Sequence, residues 1–123
     1  MVFQKQHGFT LIELMVTVAI LAVVASIAIP AYNGYITTAR MSEANNALAE
    51  LKLAEEEYYL ENNTYFSGAS TSALSAYWTP SEPSPNFDYK VEAGDTGDIA
   101  TSYKITAEGK SGTPVDGKTA VYP

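Results

Sequence analysis

The sequence predicts an α+β fold: a long N-terminal helix over about residues 10–60, bent near Pro30, packed on a small antiparallel sheet of three to four strands. Three observations predict it. An apolar run from Phe9 to Ile29 continues past Pro30 as an apolar stripe at helical spacing, Ala44, Ala47, Leu48, Leu51, Ala54 and Tyr58. After Pro85 the period changes to two, with Phe87, Tyr89 and Val91 alternating with polar residues. Glycine-bearing stretches, Gly94 to Asp98 and Gly109 to Gly112, supply turns between the alternating segments.

The first element is the apolar run. Met1 to Gly8 is a short polar leader whose only full charge is Lys5. Phe9 to Ile29 is apolar apart from Glu13 and the mild residues Thr10, Thr17 and Ser26. As a helix it spans roughly 30 Å, enough to cross a bilayer core. The weakly basic leader and the acidic remainder place the N-terminus inside and the bulk of the chain outside. Glu13 is the anomaly, since a carboxylate in lipid costs on the order of 2.5–3.5 kcal/mol at the bilayer centre and less near the interface. Three readings of the segment compete: a secretory signal cut after Ser26-Ile27-Ala28, a plain uncleaved anchor, and cleavage after Gly8 with the apolar helix retained.

Beyond Pro30 the helical pattern resumes through Tyr32, Tyr35, Ile36 and Ala39 into the apolar stripe, with Glu43, Asn46, Glu50, Glu57 and Glu61 mostly away from it. Pro30 removes a helical N–H, and Gly34 adds a second weak point. Glu55-Glu56-Glu57 reads as a solvated face, with pairing to basic side chains of a partner as the alternative, and Asn62-Asn63 as a helix stop. Thr64 to Pro85 reads as an irregular connection pinned by Tyr65, Phe66, Tyr77 and Trp78. Strands follow around Phe87–Val91, from Ile99 through Tyr103 and Ile105 to Ala107, and over Lys118 to Tyr122. Strand pairing and the packing of Val121 and Tyr122 are expected to hold the C-terminal stretch.

Composition removes several classes of chemistry. A chain of 123 residues suits one compact domain plus one anchor. Its net charge of -7 argues against nucleic acid as the main partner, because phosphate contact needs Lys and Arg. There is no Cys, which excludes disulfides, zinc thiolates and iron–sulfur sites, and the single His is His7 in the leader. A chain cut after Gly8 therefore has no Ser/His/Asp or Cys/His set; no enzymatic activity and no cofactor are expected. Gly109-Lys110-Ser111 lacks the earlier Gly of a phosphate-binding loop, with Lys104 in its place, and a strand follows rather than a helix. Asp95, Asp98 and Asp116 match no calcium loop and read as solvated turn carboxylates.

Gly8-Phe9-Thr10-Leu11-Ile12-Glu13-Leu14, followed by the apolar run, Pro30 and Tyr32, resembles the prepilin signature of type IV pilins and type II secretion pseudopilins. The resemblance implies three parts: a leader over 1–8, a hydrophobic helix over 9–29 serving as membrane anchor and filament core, and a pilin globular domain over 30–123 that includes the second half of the helix. It implies cleavage between Gly8 and Phe9 by a membrane prepilin peptidase, N-methylation of Phe9, and a subunit-assembly role for Glu13, which pairs with the terminal amine of a neighbouring subunit. Pro30 is the implied helix kink. The implied partners are copies of the chain in a helical filament, other pilins and the assembly machinery of the inner membrane. The precursor is then a single-pass inner-membrane protein with its C-terminus outside the cytoplasm, and the assembled form a cell-surface filament for adhesion, motility or DNA uptake. A type II secretion pseudopilin and a membrane-anchored periplasmic binding domain are the alternatives. One departure is plain: many pilins close the C-terminal region with a disulfide loop, and this chain has no Cys.

Overall fold

The computed structural model describes residues 1–123. In chain order the elements are α1 (Leu11–Asn62), α2 (Thr71–Leu74), β1 (Phe87–Ala93), β2 (Tyr103–Gly109) and β3 (Thr119–Tyr122). The chain divides into two compact units, Met1–Tyr35 and Ile36–Pro123, described separately.

In the first unit α1 starts at a reciprocal cap. The Thr10 hydroxyl accepts from the Glu13 N–H (3.2 Å), and the Glu13 carboxylate accepts from the Thr10 N–H (2.7 Å). These are the two bonds of a capping box, written in sequence as Thr-x-x-Glu. From Leu11, 77% exposed, to Ile29, 60% exposed, the large apolar side chains are open on all faces. Helical geometry runs through Pro30 without a break.

In the second unit the predicted stripe is the helix's buried face. Ala44, Ala47, Leu48 and Leu51 form one core with Phe87, Tyr89, Val91, Ile105, Ala107 and Val115. Small residues at 44 and 47 suit close approach of helix and sheet, and Leu51 fills the centre. Asn63, the residue after α1, takes a left-handed φ of 53° and its N–H donates to the Tyr59 carbonyl at 2.8 Å. Asn tolerates that conformation, so the predicted stop operates as a left-handed C-terminal cap.

The sheet is antiparallel in the order β1-β2-β3, pairing Phe87 to Gly109 through Ala93 to Tyr103, and Ile105 to Tyr122 through Glu108 to Thr119. Odd-numbered residues of β1 and β2 face the helix, as the alternation predicts. A single antiparallel bridge, Gly68 to Val91, adds one rung on the free edge of β1. The α+β fold and the helix-on-sheet packing are as the sequence predicts.

Four details differ. Ile99 lies in the β1–β2 loop, where its carbonyl accepts from the Tyr65 N–H (3.4 Å), because Gly97 turns the chain with φ +72° before β2 begins. The connection contains α2, capped by Ser70, whose hydroxyl accepts from the Ala73 N–H. Val121 is 52% exposed: period two puts Ala120 and Tyr122 on the core face and turns 121 outward. The anchor of the C-terminal region is Val115, fully buried, with its carbonyl so close to Gly109 that an added Cβ would stand 1.8 Å from it.

Polar side chains tie the connection to both layers. Glu50 of α1 accepts from the Ser81 N–H (3.2 Å) and from the Ser81 hydroxyl. Asp88 of β1 accepts from the Thr71 N–H (2.9 Å), and the Thr71 hydroxyl in turn accepts from the Tyr89 N–H (2.9 Å). Burial pushes the Asp88 carboxyl up, but the Thr71 hydrogen bonds and the Lys110 charge outweigh it and hold the group below its ordinary range.

Because Leu51 is fully buried and Leu53 is 66% exposed, Leu51→Ala is expected to lower stability by about 2–5 kcal/mol and Leu53→Ala by at most about 0.5 kcal/mol. Thermal unfolding of the full chain in detergent, followed by circular dichroism, checks both; equal losses would contradict this assignment of the core face.

Candidate functional site

The N-terminal constellation is built on the first turn of α1. Phe9 and Glu13 are one helical turn apart in sequence, and with Ile12, Val16 and Thr17 they line one open groove. The structure thus brings together two of the residues singled out by sequence. Gly8 stands beside them with no atom within 4 Å of where a Cβ would lie, so this junction is open to approach. The Thr17 hydroxyl donates back to the Glu13 carbonyl (2.7 Å) and leaves the carboxylate to Thr10. Thr10 is the member that sequence reasoning missed. The signal was present, since Thr-x-x-Glu before an apolar run is a capping box.

This arrangement suits an exchange of partners. The Glu13 carboxylate is held by a neutral backbone donor, the Thr10 N–H, at the start of its own helix. A charged amine offered from another molecule makes a stronger, charge-assisted contact than a neutral N–H does. The positive end of the helix dipole favours the carboxylate in either case.

Pro30 lies within α1, some five turns from Glu13. It has no N–H to offer the Ser26 carbonyl, and the Ser26 hydroxyl donates to the Val23 carbonyl (2.6 Å).

The exposed surface of the second unit carries the remaining candidates. Asp98 uses its carboxylate on the Ala100 N–H (2.9 Å), in the β1–β2 loop, whereas Asp116 accepts from the Gly112 N–H (3.3 Å), in the β2–β3 connection. Asp98 and Asp116 therefore serve their own turns on separate connections. The charge run behaves differently from its solvated reading: Glu55 is buried, while Glu56 and Glu57 are exposed. Position 55 follows Leu48 and Leu51 on the buried stripe by helical spacing, so helix phase overrides residue type. Lys90 pairs with Glu108 (2.8 Å), Arg40 with Glu43 (3.7 Å), and the Lys52 ammonium sits 5.0 Å from the centre of the Tyr122 ring. With Lys110, whose charge acts on Asp88, four of the six basic residues after residue 8 are thus engaged within the chain.

Comparisons with known proteins agree with both halves of this picture. Residues 3–29 match the family described as the prokaryotic N-terminal methylation motif. Residues 30–117 match the family described as type IV minor pilin ComP, DNA uptake sequence receptor. The chain is 37% identical over 119 residues to the fimbrial protein EcpC of Eikenella corrodens, covering 97% of this chain and 74% of that one. It is 31% identical over 113 residues to the type IV major fimbrial protein FimA of Dichelobacter nodosus, covering 80% of this chain and 71% of the relative. Against the type IV major pilin protein PilE1 of Neisseria gonorrhoeae it is 48% identical over 65 residues, which spans 48% of this chain and only 39% of that protein. No solved structure matches the chain. An N-terminal methylation motif leading into a matched minor-pilin domain, with a relative aligned along nearly the whole chain, places this protein in the type IV pilin family, as a structural subunit of a type IV pilus.

Proposed function

We propose that the chain is cut between Gly8 and Phe9 by a prepilin peptidase, N-methylated at Phe9, and built into its filament through a pair between Glu13 of one subunit and the Phe9 amine of the next. The observation that carries this reading is the exposed apolar surface of Leu11 to Ile29, interrupted by one carboxylate beside the Gly8–Phe9 junction. Cleavage creates a positive amine within a turn of that carboxylate. An unpaired charge among apolar helices is strongly disfavoured, whereas a paired one is tolerated, so Glu13 selects register more than it adds stability. Lipid and filament core are both apolar, so moving the helix between them supplies little driving force. The charge pair and specific packing then provide selectivity, and the assembly machinery of the inner membrane provides the work of extraction. Before assembly the precursor crosses the membrane once with residues 30–123 outside the cytoplasm. Pro30, with no N–H for the Ser26 carbonyl, is where the helix bends as it leaves the apolar layer.

A role for the filament in DNA uptake is the second reading, favoured by the match of residues 30–117 to the minor-pilin family described as the DNA uptake sequence receptor. The charge of -7 restricts any phosphate contact to a local patch. Deleting the gene in its host separates the roles. Loss of transformation with surface fibres retained assigns DNA uptake through a minor subunit; loss of the fibres themselves assigns the major structural role.

The pairing role is tested by Glu13→Ala and Glu13→Val. Both variants are expected to insert in the membrane and lose their leader normally, to show weak or absent methylation of Phe9 by mass spectrometry, and to yield few sheared fibres by electron microscopy. Wild-type fibre yield from either variant would refute the pairing. A purified wild-type chain that begins at Met1 or after Ala28 would refute the processing.

A further inference from the structure

The most unusual buried group in the second unit is Glu55. It is 0% exposed, on the buried face of α1 beneath the start of the connection. Its Oε2 accepts from the Phe66 N–H at 3.1 Å, while its Oε1 is buried with no hydrogen-bond partner. Phe66 is itself buried, and its ring stacks on Tyr77 (4.9 Å between centres, 8° between planes), with Tyr58 edge-on to both rings at 5.5 and 5.3 Å. Gly68, just beyond, exchanges backbone hydrogen bonds of 3.1 and 2.9 Å with Val91. The connection is thus fastened to α1 by Glu55 and to the edge of β1 by Gly68.

No positive charge answers Glu55. From α1, Glu56 faces it with the same sign, and Tyr58 and Tyr59 lie one turn on. From the connection comes Tyr65 and from β2 Tyr103, both phenols feeling the Glu55 charge. Lys52 of the preceding turn directs its ammonium to the Tyr122 ring. Burial pushes the Glu55 carboxyl up to about 7; the Phe66 N–H opposes this and Glu56 adds to it.

We propose that Glu55 is a proton-operated latch: with its proton it holds residues 65–68 against α1, and without it the connection opens at that point. A neutral acid tolerates an unpartnered, desolvated oxygen far better than a carboxylate does. The direction follows from linkage. Closed, the group titrates near 7, and open, near 4.5, so the closed form is fully favoured below about 4.5, loses ground as pH rises to about 7, and loses no more above that. Opening would free the Phe66 ring from Tyr58 and Tyr77 and uncover the edge of β1 at Val91. The latch stands on the geometry of the second unit alone and does not depend on how the N-terminus is processed.

Amide hydrogen exchange on the full chain in detergent micelles tests it, at pH 6 and pH 8.5, with rates corrected for their intrinsic pH dependence. Opening linked to a carboxyl that moves from about 4.5 to about 7 predicts that protection of the Phe66 amide falls about ten-fold across this interval, while that of Ile105 in β2 stays constant. Glu55→Gln keeps an acceptor for Phe66 but does not titrate, and its Phe66 protection should be equal at the two pH values. Unchanged protection in the wild type, or the same ten-fold fall in the Gln variant, would overturn the latch. Should the variant misfold, the carboxyl carbon of Glu55 in the wild-type chain gives an independent reading: titration near pH 7 supports the proposal, and an ordinary carboxylate midpoint ends it.

Discussion

The apolar helix surface from Leu11 to Ile29, open on every face, holds one carboxylate, and this pairing of features sets the demand that the N-terminal half of the molecule must meet. Apolar area of that extent is disfavoured in water at roughly 25 cal/mol per Å², so Leu11 to Ile29 needs lipid or other copies of the same helix around it. Either setting makes Glu13 costly unless something answers its charge. The capping box is one such answer: Thr10 supplies a backbone N–H, and the carboxylate rests at the helix's positive end.

The same helix meets a different demand in its second half. Ala44, Ala47, Leu48 and Leu51 present a narrow stripe to the sheet, and the polar residues beside it tie the connection down, as Glu50 does to Ser81. Asp88 fixes the start of α2 against β1 through Thr71. With no Cys, this chain holds its C-terminal region through Val115, through the close approach of Gly109 to the Val115 carbonyl, and through β3 pairing. The second unit is therefore held by many small polar and packing contacts rather than by one covalent link. Glu55 is the exception among them, a polar anchor placed on the apolar stripe with one oxygen unanswered.

Much of this was legible in the sequence. The change from a period of 3.6 to a period of 2 located α1, β1 and the second half of β2, and Asn63 stopped the helix where its residue type predicted. The order Gly8, Phe9, Glu13 lies within the segment that matches the N-terminal methylation motif. What was illegible had tertiary causes. Ile99 looks strand-forming by composition, yet turn geometry keeps it in a loop. Glu55 looks solvated by residue type, yet helix phase buries it. Val115 shows no periodic signal because it anchors an irregular connection, and its burial comes from the approach of Gly109. Thr10 is readable as the first member of a Thr-x-x-Glu capping box, a signal set among the apolar residues of the run that follows it.

The central claim is that Glu13 finds its charge partner on another subunit. Solid-state NMR on filaments grown from a mixture of two labelled populations measures this directly, with ¹⁵N in the phenylalanines of one population and a ¹³C carboxyl in the glutamates of the other. The account predicts a dipolar contact between the Phe9 amine and the Glu13 carboxyl carbon that corresponds to an ion pair, roughly 4 Å, and that appears only in mixed filaments or uniformly labelled ones. Ordered filaments in which this contact is absent would contradict it.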